Sequence, residues 1–224
     1  MKKFILILFV ILGILVFNSC EDKDPATDQT SDQAFKTITT LKSIIGLNLS
    51  DAQVKLGNLG FALSESQSPT QEFTMHTFIS NFTSDSYIIF EANNKIFSCN
   101  YISEAEKNIA LNGFEKNSKE CVAYMSGKTY EYQGETTIEN EEDSTFTTHQ
   151  ELANYYVANK YNLLTCFEVW QTTKEGVSSQ FSAPNFMSES FMSILIYADF
   201  ELTPASMLKK DLMLKNILSN IKQK

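Results

Sequence analysis

The apolar positions change their period several times along the 224 residues, and each change predicts an element. From Leu49 to Phe61 the chain reads Leu-Ser-Asp-Ala-Gln-Val-Lys-Leu-Gly-Asn-Leu-Gly-Phe, with apolar residues at helical spacing. Ser50 reads as the N-cap, Gln53 as its capping-box partner and Leu49 as the hydrophobic staple. Gly60 reads as the left-handed residue after the helix. Residues 73–82, 87–92 and 95–102 are rich in aromatic and β-branched side chains and predict three strands. Asn93-Asn94 supplies the turn between the last two. In the last strand Phe97, Cys99 and Tyr101 share one face, while Ser98 and Asn100 take the other.

The first helical run has an ungapped counterpart, Ile102-Ser-Glu-Ala-Glu-Lys-Asn-Ile-Ala-Leu-Asn-Gly-Phe114. Ser103, Glu106 and Gly113 fall where Ser50, Gln53 and Gly60 fall, which reads as a structural duplication. Strands at 121–125 and 129–138 follow, separated by Ser126-Gly127, and then an acidic loop at 139–144. A third, degenerate copy opens with Thr148 and Glu151 at capping-box spacing, and its helix runs to about Lys160. Strands at 163–172, 177–183 and 190–201 come next. Thr203 as N-cap and Pro204 at the first helical position open an amphipathic helix to about Lys222. The expected fold class is α+β: tandem helix-then-antiparallel-sheet repeats with a C-terminal amphipathic helix, the helices on one face of the sheet. The corresponding segments are 1–19, 20–33, 34–102, 103–147 and 148–224.

The first of these segments is different in kind. Lys2 and Lys3 precede an apolar stretch at 4–17, followed by Asn18, Ser19 and Cys20. About 20 apolar residues are needed to span a bilayer, so this shorter stretch reads as a secretory signal peptide. Val16-Phe17-Asn18-Ser19-Cys20 resembles the lipobox of bacterial lipoproteins in its loose Bacteroidota form, departing from the tighter pattern at Phe17 and Asn18. The resemblance implies cleavage before Cys20 and lipid, palmitate included, on that residue. Residues 20–33 then form a polar tether. The acidic run Glu21, Asp22, Asp24 resembles the export signal of surface-displayed lipoproteins. The implied address is the outer membrane, lipid-anchored through Cys20 and exposed at the cell surface.

Composition narrows the function classes. Net charge is −9, and all 18 basic residues are lysine. An acidic chain without guanidinium forks is a poor match for nucleic acid. With Cys20 lipidated, Cys99, Cys121 and Cys166 remain; they are three buried thiols or one disulfide plus a thiol, and Cys99 with Cys121 is the pair to test. His76 and His149 are the only histidines, and neither has a second His or Cys at ligand spacing, so both read as ordinary structural or surface histidines. No Gly-x-Ser-x-Gly elbow occurs. Ser126-Gly127-Lys128-Thr129 ends like a phosphate loop but has Val122 where glycine is required. The acidic stretch from Glu135 to Asp143 could offer carboxylates to calcium but lacks the spacing and internal glycine of a calcium loop, and Asp143-Ser144-Thr145 resembles a Bacteroidota O-glycosylation acceptor. The basic C-terminal helix either covers the sheet or lies on an anionic membrane.

The helix-then-sheet arrangement resembles the modules of β-lactamase-inhibitor-like and outer-membrane-assembly lipoproteins, in arrangement alone. The expectation is a non-enzymatic envelope lipoprotein without cofactor or metal, binding a protein or glycan partner. The alternative is a lipid-anchored inhibitor or immunity protein against an exported enzyme, and behind it an exported hydrolase.

Overall fold

The structure is a computed structural model that describes residues 37–140, 143–183 and 190–208. The signal segment, Cys20, the tether and most of the predicted C-terminal helix lie outside the described residues. Two short helices come first, α1 (Ile38–Lys42) and α2 (Leu49–Gly57), followed by β1 (Phe61–Gln67), β2 (Thr74–Ser80), β3 (Ser86–Ala92) and β4 (Lys95–Glu106). The long helix α3 (Lys107–Met125) leads to β5 (Glu131–Ile138), β6 (Ser144–Phe146) and α4 (His149–Asn159). After a short 3-10 turn come β7 (Leu163–Gln171), β8 (Glu175–Ser182), β9 (Ser190–Asp199) and α5 (Ala205–Leu208).

All nine strands join one antiparallel sheet in the order β1-β2-β3-β4-β9-β8-β7-β5-β6. The first four strands are a meander, and β5, β7, β8 and β9 are a second one with β6 and α4 inserted. The two meanders meet at their last strands, β4 against β9, over nine register pairs from Ser98↔Ala198 to Glu106↔Ser190.

Strand alternation divides the core between the two faces. Tyr87, Ile89, Cys99, Trp170, Leu195 and Tyr197 pack with Leu41 of α1, Leu56 of α2 and Met125 of α3. A neighbouring cluster joins Leu111 and Phe114 of α3 to Leu152 and Tyr156 of α4 over Cys166 and Phe181. On the opposite face, Met75, Ile88, Phe90, Phe97 and Ile194 pack together with Met207 of α5. Phe97 does not share the face of Cys99 and Tyr101 as strict alternation predicts, because it is the extra residue of a bulge between the pairs Phe90↔Ser98 and Glu91↔Ile96. Each fully buried side chain such as Phe78 or Phe97 contributes about 2–3 kcal/mol of transfer free energy.

Three differences from the sequence-based expectation have physical causes. Helix α2 is capped by Asn48, whose Oδ1 accepts from the Asp51 amide at 2.9 Å, rather than by Ser50. Asn is as good a cap as Ser and stands two residues earlier. Gly60 does have the left-handed φ of +85°, three residues past the helix. In the counterpart segment Ser103 caps nothing: it lies in β4 opposite Ser193, so the expected boundary after residue 102 falls within a strand. The long ladder with β9 overrides the capping signal. Gly113 then sits inside α3, and residues 121–125 are its last turn, not a strand. Buried Ala110, Leu111, Phe114, Asn117, Ser118, Cys121 and Met125 trace the helical period that the 13-residue comparison cut short. A Cβ on Gly113 would stand 2.6 Å from Ser193 Oγ, so this glycine lets α3 lie directly on β9.

Candidate functional site

Among the described residues, both histidines are hydrogen-bonded to a glutamate. His76 is in the middle of β2, with its side chain 4% exposed. Its Nε2 lies 3.0 Å from Glu91 Oε2 on β3, and its Nδ1 lies 2.8 Å from Ser66 Oγ on β1. A carboxylate only accepts, so the Nε2 proton of a neutral ring points to Glu91 and Nδ1 is left to accept from the Ser66 hydroxyl. Ser66 is exposed and belongs to the outermost strand of the sheet.

A bulge sets this alignment. Leu63 pairs with Phe78, and continuing that register would bring Glu65 opposite His76. The register shifts between Leu63 and Glu65, so Ser66 faces His76 and Glu65 faces Thr77. Glu91 reaches the same face because its partner Thr74 is two residues from His76. Beside Glu91 opens a cavity of about 620 Å3, bounded by the 68–74 loop and the Asn93-Asn94 turn. Both turn asparagines have positive φ, 51° and 59°, as the turn signal predicted.

His149 is the first residue of α4, after the Thr148 N-cap that accepts from the Glu151 amide. Its Nδ1 lies 2.8 Å from Oε1 of Glu168, whose side chain is 2% exposed. The Glu168 hydrogen bond pushes the His149 pKa above its ordinary 6.5 against the opposing effect of burial. Tyr132 and Trp170 pack around the ring, with centroids 6.3 and 5.8 Å away.

A third cluster is an ionic clasp. Glu175 Oε2 accepts from Tyr124 and Tyr197 hydroxyls, each at 2.6 Å, while Oε1 accepts from Lys128. Lys42 of α1 lies 3.7 Å away. Burial alone would raise the Glu175 pKa, but the hydrogen bonds from Lys128, Tyr124 and Tyr197 outweigh it and hold the value at about 2. The cluster ties α1 and the end of α3 to the start of β8 and is structural.

Cys99, Cys121 and Cys166 are buried free thiols. Cys99 and Cys121 share one core cluster and stand as free thiols in this structure, the first of the two arrangements that the sequence leaves open. Each packs as a small hydrophobe, and burial pushes all three thiols up in pKa, away from the reactive thiolate. No group of His, Cys, Asp and Glu fit to hold a metal occurs among the described residues. No helix among the described residues is long and apolar enough to cross a membrane.

Histidine scarcity drew attention to His76 and His149, but nothing in the sequence marked Ser66 or Glu91 as partners. The polar run Ser64-Glu65-Ser66-Gln67 carries no strand signal, so β1 itself was missed. Comparison with family models, with curated proteins and with solved structures finds no match for this chain.

Proposed function

We propose that this chain is an envelope lipoprotein, held at the outer membrane by lipid on Cys20, displayed at the cell surface, and binding a protein or glycan partner there. The observation that carries the reading is the basic-apolar-cysteine order of residues 2–20, with Glu21, Asp22 and Asp24 directly behind it. The polar, acidic composition of residues 20–33 supports a tether between the lipid and the folded part. Support on the folded side comes from exposed apolar side chains at the β1–β2 end of the sheet: Leu63 on the face of Phe78, Ile79 on the opposite face, and Phe82 in the β2–β3 turn, the last 84% exposed. Of these, Phe82 exposes the most apolar surface for a partner to cover.

We also read the two meanders as descendants of one helix-then-sheet unit, in a larger register than the 13-residue comparison: α2 with β1–β4, and α3 with β5, β7, β8 and β9. That paired arrangement supports the alternative, a lipid-anchored inhibitor or immunity protein presenting a broad surface to an exported enzyme.

Protease treatment of intact cells, with a permeabilised sample as control, tests the display. Digestion on intact cells agrees with the proposal. Protection until permeabilisation, with digestion afterwards, moves the protein to the periplasm and removes the surface-exposed part of the reading.

A further inference from the structure

The Ser66–His76–Glu91 chain goes beyond a binding role. We propose that Ser66 is an activated nucleophile, with His76 as its general base and Glu91 as the positioning residue, forming a site for carboxylic esters with a polar alcohol portion.

Three requirements of nucleophilic catalysis are met by independent features. A hydroxyl must contact a base that is itself oriented by a third group, and the 2.8 and 3.0 Å contacts supply both links. The base must be held in place. His76 is clamped between two partners and buried, so its ring has no freedom to turn. The nucleophile must be reachable, and Ser66 is exposed. The bulge in β1 is the element that decides the matter, since without it the anionic Glu65 would face His76 and the hydroxyl would point away. Because β1 is the outer strand among the described residues, alternate backbone N–H groups face away from β2 and can donate to a developing oxyanion.

The imidazole is used in the reverse sense from the familiar triad: Nδ1 faces the serine and Nε2 the carboxylate. Proton transfer requires only a lone pair on the atom facing the hydroxyl. Ser66 Oγ attacks the ester carbonyl carbon while its proton passes to His76 Nδ1. The carbon–oxygen bond to the alcohol then breaks, and the alcohol leaves with that proton. Water, deprotonated by the same nitrogen, releases the acid and restores Ser66. The cavity beside Glu91 fits the polar portion, because Ser68, Thr70, Asn93 and Asn94 line it.

The test is covalent. The purified full-length protein in detergent is treated with a fluorophosphonate, which loses fluoride to a serine activated in this way, and the adduct is located by peptide mass. The expected result is one adduct, on Ser66. It should be lost in Ser66→Ala, and its rate should fall at least a hundredfold in His76→Gln and about tenfold in Glu91→Gln. Circular dichroism confirms that each variant is folded; should His76→Gln not fold, Glu91→Gln decides. No adduct on the wild type, an adduct elsewhere, or Ser66 labelling indifferent to both substitutions overturns the assignment. Labelling as expected would add turnover to the binding role and leave the anchor and partner to their own test.

Discussion

Nδ1 of His149 lies 2.8 Å from Oε1 of Glu168, so the first residue of a helix partners a carboxylate sealed within the sheet. A cation is poorly placed at a helix N-terminus. The contact with Glu168 nevertheless raises the His149 pKa. A raised folded value means that the stabilisation is fully present below the unfolded value of about 6.5 and is lost as pH climbs through the folded one. His149→Gln should therefore cost more stability near pH 6 than near pH 8.5. Urea denaturation of both proteins at the two pH values checks this, and an equal difference at both would contradict it.

Glu175 titrates in the other direction. Its depressed value makes its contribution complete above the unfolded value of about 4.5 and lost as pH falls toward 2. Glu175→Gln keeps the shape but weakens charge-assisted hydrogen bonds from Tyr124, Tyr197 and Lys128. The expected cost is about 2 kcal/mol at neutral pH. Thermal melts of wild type and variant should converge in acid.

The three core cysteines should resist thiol reagents in the native state and react after denaturation. Their buried, protonated state leaves no thiolate at the surface. Reductant should leave the melting temperature unchanged. A drop on reduction would restore the Cys99–Cys121 disulfide.

Gly113 supplies a steric test. In a free helix, Gly→Ala gains about 1 kcal/mol from propensity. Here the new methyl would meet Ser193 Oγ at 2.6 Å and its Cβ at 3.0 Å. The overpacking penalty of about 1–3 kcal/mol should dominate, making Gly113→Ala destabilising. Adding Ser193→Gly should recover most of the loss, because both crowded atoms go. A stabilised single variant would show that α3 does not approach β9 so closely.

Local signals predicted well wherever local chemistry decided the outcome. Alternation placed β2, β3, β4, β7, β8 and β9 within a few residues, the asparagine pair marked its turn, and Thr148 with Glu151 marked α4. Failures came where a distant partner decided. Ser103 has good capping chemistry, but β9 extends β4 through it. The edge strand β1 is polar because it buries little; only Phe61 at its start is buried. The candidate site was half legible for the same reason. A rare histidine is visible in any sequence, whereas a one-residue bulge that exchanges Glu65 for Ser66 depends on how β1 registers against β2.

Lipid anchoring stands or falls on the chemistry at Cys20. The mature protein should be isolated from its native membranes, its N-terminal peptide weighed, and a Cys20→Ala variant fractionated beside it. The mature chain should begin at Cys20 with acyl chains attached, and the variant should leave the membrane fraction. An unacylated Cys20, or a variant that still sediments with membranes after high-salt washing, would contradict lipid anchoring.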